Sequence, residues 1–89
     1  MQERTVTIVN RLGLHARAAS KLVNAAKRFG CTVQIGTGTR FVDGKSIMSV
    51  MLLAAVQGSQ VTLRTDGEDE CAAMAAIVEL IEDRFGEGG

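Results

Sequence analysis

The sequence is poor in aromatic residues, with three Phe and neither Trp nor Tyr. Proteins that read single-stranded nucleic acid stack bases on aromatic rings, so this class is disfavoured, as it is by a net charge of zero. The single His and the absence of a C-x-x-C pair disfavour a metal chaperone. No apolar run approaches the roughly 18 residues that span a bilayer, and no signal-peptide pattern precedes the first strand. We expect a soluble, cytoplasmic protein without membrane insertion, cofactor or metal.

The chain has 89 residues, the length of one small domain, so residues 1–89 are predicted to form a single domain. Its 46% hydrophobic and 22% charged residues are typical of a globular protein. Residues 1–45 carry eight Lys or Arg and two Asp or Glu, whereas residues 46–89 carry two and eight. The basic half either meets an acidic partner or an anionic group, or simply attracts the acidic half.

Hydrophobic periodicity predicts an alternation of strands and helices. The predicted elements are strand 5–9, helix 16–29, strand 31–36, strand 40–42, helix 47–55, strand 61–64 and a last helix of about four turns. The apolar face of the last helix comprises Met74, Ile77, Val78, Ile81 and Phe85. Cys31 and Cys71 lie in apolar patterns and are expected to be buried, and residues 86–89 are expected to fray. The order β-α-β-β-α-β-α predicts an α+β two-layer open-faced sandwich, a four-stranded antiparallel sheet with three helices on one face.

His15 is the only histidine, and it stands where the first strand has ended and the first helix begins. Helix N-termini present unpaired N–H groups and the positive end of the helix dipole, which together bind anions. Positive charge nearby favours the neutral imidazole, whose lone pair can attack phosphorus. Arg17 can reach back with donors suited to phosphate oxygens, and Gly13 frees the backbone before the site. The alternative is that His15 is a helix cap or an ordinary surface residue.

Catalysis of phosphoryl transfer depends mainly on positioning the reactants and compensating charge, and requires little covalent chemistry from the protein. One nucleophile, one cation and backbone donors suffice if a partner brings the phosphate. A free-standing hydrolase is disfavoured, because no second acid–base group is placed near His15 by sequence. If His15 takes part in phosphoryl transfer, the protein would be a stoichiometric phosphocarrier and not a free-standing enzyme.

Two segments resemble the histidine phosphocarrier (HPr) family of the bacterial phosphoenolpyruvate:sugar phosphotransferase system. Residues 10–17, Asn-Arg-Leu-Gly-Leu-His-Ala-Arg, resemble its phosphorylation-site signature. Residues 44–51, Gly-Lys-Ser-Ile-Met-Ser-Val-Met, are similar to its serine-phosphorylation motif. The two segments have the family's separation, and the order of elements fits nearly the whole chain.

The resemblance implies that phospho-enzyme I phosphorylates His15 on Nδ1 and that an enzyme IIA domain receives the phosphoryl group. Arg17 and the amides of Ala16 and Arg17 would hold the phosphate. It also implies phosphorylation of Ser46 by HPr kinase/phosphorylase, contacts with regulatory proteins, and a monomer. Two departures are Ala18, where the family usually has Pro, and Leu12, where it often has a small polar residue. We expect these departures to change the stability of the phosphohistidine or the transfer rate from the family norm.

Ser46 follows a turn and precedes an apolar helix, so an N-cap role alone explains it. The residues after it are either core residues or part of a partner surface. Basic residues nearby either steer acidic partners or are simply solvated. The candidate partner-surface residues are Ser20, Lys21, Lys27, Lys45, Ile47, Met48 and Met51.

Two other functions stay open. A regulatory carrier like the nitrogen-branch phosphocarrier NPr would also use His15, although that type usually lacks the serine motif. A small adaptor or ligand-binding α/β-plait domain would not depend on His15.

Overall fold

Strands and helices follow one another in the predicted order in the computed structural model, which describes residues 1–87. The strands are β1 (Gln2–Thr7), β2 (Thr32–Thr37), β3 (Arg40–Asp43) and β4 (Gln60–Asp66). The helices are α1 (Ala16–Lys27), α2 (Ile47–Leu52) and α3 (Glu70–Glu82), and a 3-10 turn, Arg84–Gly86, follows α3. β1 begins and ends earlier than the predicted strand 5–9, since its pairing with β4 runs from Gln2 to Thr7.

The four strands pair antiparallel in one sheet with the spatial order β1-β4-β2-β3. Side chains alternate between its two faces: Val33 and Ile35 of β2 are buried, whereas Gln34 between them is exposed. Val61 and Leu63 of β4 continue the buried face, on which the helices pack. The predicted α+β open-faced sandwich is therefore confirmed.

α1 and α3 each bury one face against the sheet. The buried residues of α1 are Ala18, Ala19, Leu22, Val23 and Ala26. The buried residues of α3 are Ala73, Met74, Ile77, Val78 and Ile81. Removal from water stabilises each of the larger side chains by about 1.5–3 kcal/mol, so this packing holds α1 firmly beneath the sheet. Within residues 1–87, no helix combines the length and the apolar character that crossing a membrane requires.

Phe85 is buried, but its prediction as part of the last helix was wrong. α3 ends at Glu82, and Arg84 and Phe85 have φ values of 55° and 54°, in the left-handed region. These residues reverse the chain, so that the Phe85 ring returns to the core and is fully buried. Lys21 of α1 donates from Nζ to the Phe85 carbonyl at 2.5 Å, which fixes the turn against α1.

The two cysteines differ in burial. Cys31 is buried as predicted, but the prediction was wrong for Cys71, which is exposed. α3 begins at Glu70, and the face that packs on the core starts at Ala73 and Met74. Cys71 lies in the first turn on another side of the helix and therefore faces solvent.

α2 is shorter than the predicted helix 47–55. It ends at Leu52, and Ala54 has a φ of 52°, so the chain turns away from the helix axis. The carbonyl of Ala55 then accepts a hydrogen bond from the backbone N–H of Leu14 at 2.9 Å. Gly13 has a φ of 65° and lies so close that a Cβ atom would meet the Ala55 oxygen. This contact joins the loop before α1 to the end of α2.

We expect Gly13→Ala to lower the free energy of unfolding by about 3 kcal/mol, because the left-handed backbone costs about 1–2 kcal/mol and the contact with Ala55 must also open. Gly38 is the matched control, since it has a φ of 59° but no heavy atom within 4 Å of a Cβ atom placed there. Gly38→Ala should lose only the backbone contribution, about 1 kcal/mol. Urea unfolding of both variants measures the difference, and equal losses would show that the approach to Ala55 does not require glycine.

Candidate functional site

His15 is the N-cap residue of α1. Its backbone is extended, with φ −72° and ψ 176°, so its side chain folds back over the first turn of the helix. There Nδ1 accepts a hydrogen bond from the backbone N–H of Arg17 at 3.3 Å. Because an acceptor nitrogen carries no proton, Nδ1 holds the ring's lone pair. The cap therefore directs a basic nitrogen at the amides of the helix N-terminus.

The loop that leads into His15 is fixed by two hydrogen bonds. Leu14, immediately before it, is buried and bonded through its N–H to Ala55. Asn10 is fully buried and donates from Nδ2 to the carbonyl of Gly13 at 2.7 Å. These contacts leave the imidazole little freedom of position, although 26% of its side-chain surface stays exposed.

Glu87 contacts the opposite side of the imidazole. Its Oε2 lies 2.5 Å from Nε2 of His15, and its Oε1 accepts from Nδ2 of Asn10 at 3.1 Å. Residues 86–89 were predicted to fray, which is wrong for Glu87, whose side chain is only 16% exposed. Gly88 and Gly89 lie outside the described residues. The two nitrogens of His15 thus have separate partners, a backbone N–H on Nδ1 and a carboxylate on Nε2.

The carboxyl group of Glu87 is ionised to a lower pH than an ordinary Glu. Burial raises its pKa, but hydrogen bonds from His15 and Asn10 and attraction by His15 and Lys21 outweigh burial, so the pKa is lowered overall. Glu87 therefore presents an acceptor-only carboxylate to Nε2 at neutral pH.

Sequence reasoning missed both Glu87 and Asn10 as residues of the site. Glu87 is 72 positions from His15, and no motif spacing connects them. The available signal was Phe85, an apolar residue near the end of the chain that must return to the core and so carries Glu87 toward α1. Asn10 was interpreted only as a residue that interrupts the first strand.

Arg17 occupies the first turn of α1, and its side chain is exposed. The first turn of α1, which lies wholly in the described part of the chain, contains no acidic residue to compete for this guanidinium. α1 begins at Ala16, although Ala18 replaces the Pro that is usual in HPr-like sequences. Leu12 is 68% exposed and adds apolar surface just before the site.

Ser46 is the N-cap of α2, as its position after a turn predicts. Its Oγ accepts from the backbone N–H of Ser49 at 3.3 Å, and its own N–H donates to the carbonyl of Asp43 at 3.2 Å. The residue is half-buried, so the hydroxyl sits at the edge of the surface of α2. A helix N-terminus tolerates added negative charge.

The residues that follow Ser46 are exposed rather than part of the core. Ile47 and Met51 are each 39% exposed and Met48 is 68% exposed. Leu52 and Val56, which sequence reasoning did not single out, are 59% and 65% exposed. Together with Leu12 they form what we term the apolar surface: Leu12, Ile47, Met48, Met51, Leu52 and Val56. A Cβ atom on Gly13 would also contact Val56, so this surface adjoins the loop that carries His15.

The basic candidates differ in their surroundings. Lys21 donates to the Phe85 carbonyl, and Lys45 donates from Nζ to the carbonyl of Phe29 at 2.7 Å. Both ammonium groups are thus tied to the backbone, whereas Lys27 in the last turn of α1 is exposed. Ser20 is half-buried on α1. Residues 1–87 contain no cluster of three His, Cys, Asp or Glu placed to hold a metal ion.

Known proteins are similar to this chain in sequence and in fold. The family model described as the PTS HPr component phosphorylation site matches residues 2–83. The phosphocarrier protein HPr of Pseudomonas putida is 56% identical over 89 residues, and that of Cupriavidus necator is 56% identical over 88, with 99% of each chain covered. The crystal structure of HPr-C-His from Thermoanaerobacter tengcongensis matches with a TM-score of 0.96 at 42% identity over 100% of both chains. A histidine capping a helix N-terminus, on this fold and with these relatives, means that the chain belongs to the HPr family of phosphocarriers of the phosphotransferase system.

Proposed function

We propose that Nδ1 of His15 accepts a phosphoryl group from phospho-enzyme I, ultimately from phosphoenolpyruvate, and passes it to a histidine of an enzyme IIA domain. The observation that carries this proposal is the hydrogen bond from the Arg17 amide to Nδ1 at the start of α1. It directs the ring's lone pair toward the place where helix amides can receive phosphate oxygens. Nε2 faces Glu87 instead and has no room for a phosphoryl group while that contact is made.

The transfer needs one bond made and one broken. The lone pair of Nδ1 forms the new N–P bond as the donor's bond to phosphorus breaks and its electron pair returns to the donor. The phosphate oxygens then accept from the amides of Ala16 and Arg17, and the exposed guanidinium of Arg17 folds back to give a charge-assisted contact. Because the transition state is loose, this positioning and charge compensation supply most of the rate.

The apolar surface supports a docking role for α2. It adjoins the loop that carries His15, so a partner seated on it has its own phosphorylated group close to Nδ1. Flexible Met side chains suit a surface that must fit several partners in turn, as enzyme I and enzyme IIA require. The basic residues Lys21, Lys27 and Lys45, together with the polar Ser20 of α1, would form its polar margin. The proposed carrier acts as one domain, as a monomer, in the cytoplasm.

Ser46 is proposed as a regulatory site for an HPr kinase/phosphorylase. A phosphate there adds about −1.5 to −2 charges at the N-terminus of α2, where the helix itself is not harmed. The added charge would lie beside Ile47 and Met48, in the path of a docking partner. Its effect would fall on docking and not on folding.

His15 is expected to carry one phosphate, labile in acid and stable in base, after incubation with enzyme I and phosphoenolpyruvate. His15→Ala should remove this phosphate entirely, because it removes the nucleophile. Arg17→Ala should slow phosphorylation by about 10- to 100-fold, since a charged contact is lost from the transition state. Radiolabelled phosphoenolpyruvate and acid treatment measure both effects, and phosphate bound only to serine would overturn the assignment.

Ser46→Asp should raise the KM of enzyme I for this protein about tenfold, with a smaller change in kcat, because a negative charge enters the docking surface. Thr5→Glu is the matched control, since Thr5 is exposed on β1, at the sheet edge opposite β3, the strand that α2 contacts. The control should phosphorylate at the wild-type rate. An equal loss in both variants, or none in Ser46→Asp, would contradict a regulatory position for Ser46.

A further inference from the structure

The C-terminal segment supplies a group that the proposed transfer to His15 does not yet use. Glu87 contacts Nε2 of His15 with one carboxylate oxygen and the buried Asn10 with the other. We infer that Glu87 is a positioning residue for phosphoryl transfer: it holds the Nε2–H of His15, keeps Nδ1 turned toward the helix amides, and balances the positive charge that the ring gains when Nδ1 bonds phosphorus. The inference rests on the proposed role of His15.

The position of Glu87 is determined by contacts along the whole segment that leads to it. Phe85 is fully buried, and its carbonyl accepts from Nζ of Lys21 on α1. The left-handed backbone of Arg84 and Phe85 is a conformation that non-Gly residues adopt only where surrounding contacts demand it. Two residues beyond that anchor, the carboxylate meets His15 and Asn10. Glu87 is therefore held in place by the buried Phe85, by the bond of that residue to Lys21, and by its own contacts with Asn10 and His15. Its contact with Nε2 does not depend on a single surface side chain.

The chemistry of the ring explains why a carboxylate on Nε2 assists. When the lone pair of Nδ1 forms the N–P bond, the ring keeps its Nε2 proton and becomes cationic. When the phosphoryl group leaves, the electron pair returns to Nδ1 and the neutral ring with Nε2–H is restored, so no proton has to move in either direction. A carboxylate that accepts from Nε2–H stabilises the cationic ring and fixes its orientation throughout.

The geometry also separates the two negative charges. Nδ1 and Nε2 lie on different sides of the imidazole, so the carboxylate of Glu87 does not occupy the place where the phosphate forms. The phosphate meets the helix amides and Arg17, whereas Glu87 meets only the ring and Asn10. Glu87 therefore acts through His15 and touches neither the phosphate nor the partner's reacting atom.

The test compares Glu87→Ala and Glu87→Gln with the control Glu82→Ala. Glu82 is exposed at the end of α3, and its substitution removes the same charge as Glu87→Ala. At about pH 8, above the usual titration range of histidine, NMR of the wild-type ring should show a slowly exchanging, strongly hydrogen-bonded Nε2 proton. Glu87→Ala should lose that resonance and slow the kcat of phosphorylation by enzyme I about tenfold with KM unchanged, because the docking surface is intact. Glu87→Gln keeps a hydrogen-bond acceptor but lacks the charge, so its kcat should lie between those of the wild type and Glu87→Ala. Glu82→Ala should have the kcat of the wild type.

An unchanged Nε2 proton and kcat in Glu87→Ala, or the same loss in Glu82→Ala, would overturn the role of Glu87. A rise in KM with kcat unchanged would also overturn this role, since that result would assign Glu87 to docking. These outcomes differ from failure of the proposed function itself, in which wild-type protein would carry no phosphate on His15 whatever the state of Glu87.

Discussion

The hydrogen bond between the amide of Leu14 and the carbonyl of Ala55 is the contact on which the site depends. It joins two loops that are distant in sequence, one entering α1 and one leaving α2, and Gly13 allows them to touch. His15 follows directly on one side of this contact, and Val56 of the apolar surface follows on the other. The His15 loop and the apolar surface are therefore joined at one contact, and under the proposed function a partner docked on α2 would also be aligned with the His15 ring.

A helix-capping role and a nucleophilic role for His15 are compatible. Sequence reasoning set a helix cap against a functional nucleophile, yet the lone pair that caps the Arg17 amide is the same one that would bond phosphorus. When Nδ1 is used for the new bond, phosphate oxygens take its place as acceptors for the helix N–H groups. The proposed transfer would therefore leave the start of α1 capped both before and after the phosphoryl group is bound.

Much of the fold was predictable because its signals are local. The periodic apolar residues of α1 and α3, the alternation in β2 and β4, and the turn before Ser46 each act over a few residues. What escaped prediction depends on contacts between distant parts of the chain. Ala54 and Phe85 adopt left-handed backbone that their residue types do not announce, and Glu87 reaches His15 only because Phe85 turns back. Cys71 was misplaced because an apolar neighbourhood in sequence does not say which side of a helix faces the core.

The two ends of the described chain lie in very different surroundings. The amino group of Met1 pairs with Glu70 at 2.9 Å, next to the start of α3, whereas Glu87 touches the imidazole of His15. The last described residue therefore lies beside the His15 ring, and the first lies near the start of α3. A purification tag placed before Met1 would extend from the start of α3 and not from the segment that touches the imidazole, so it suits kinetic work on His15.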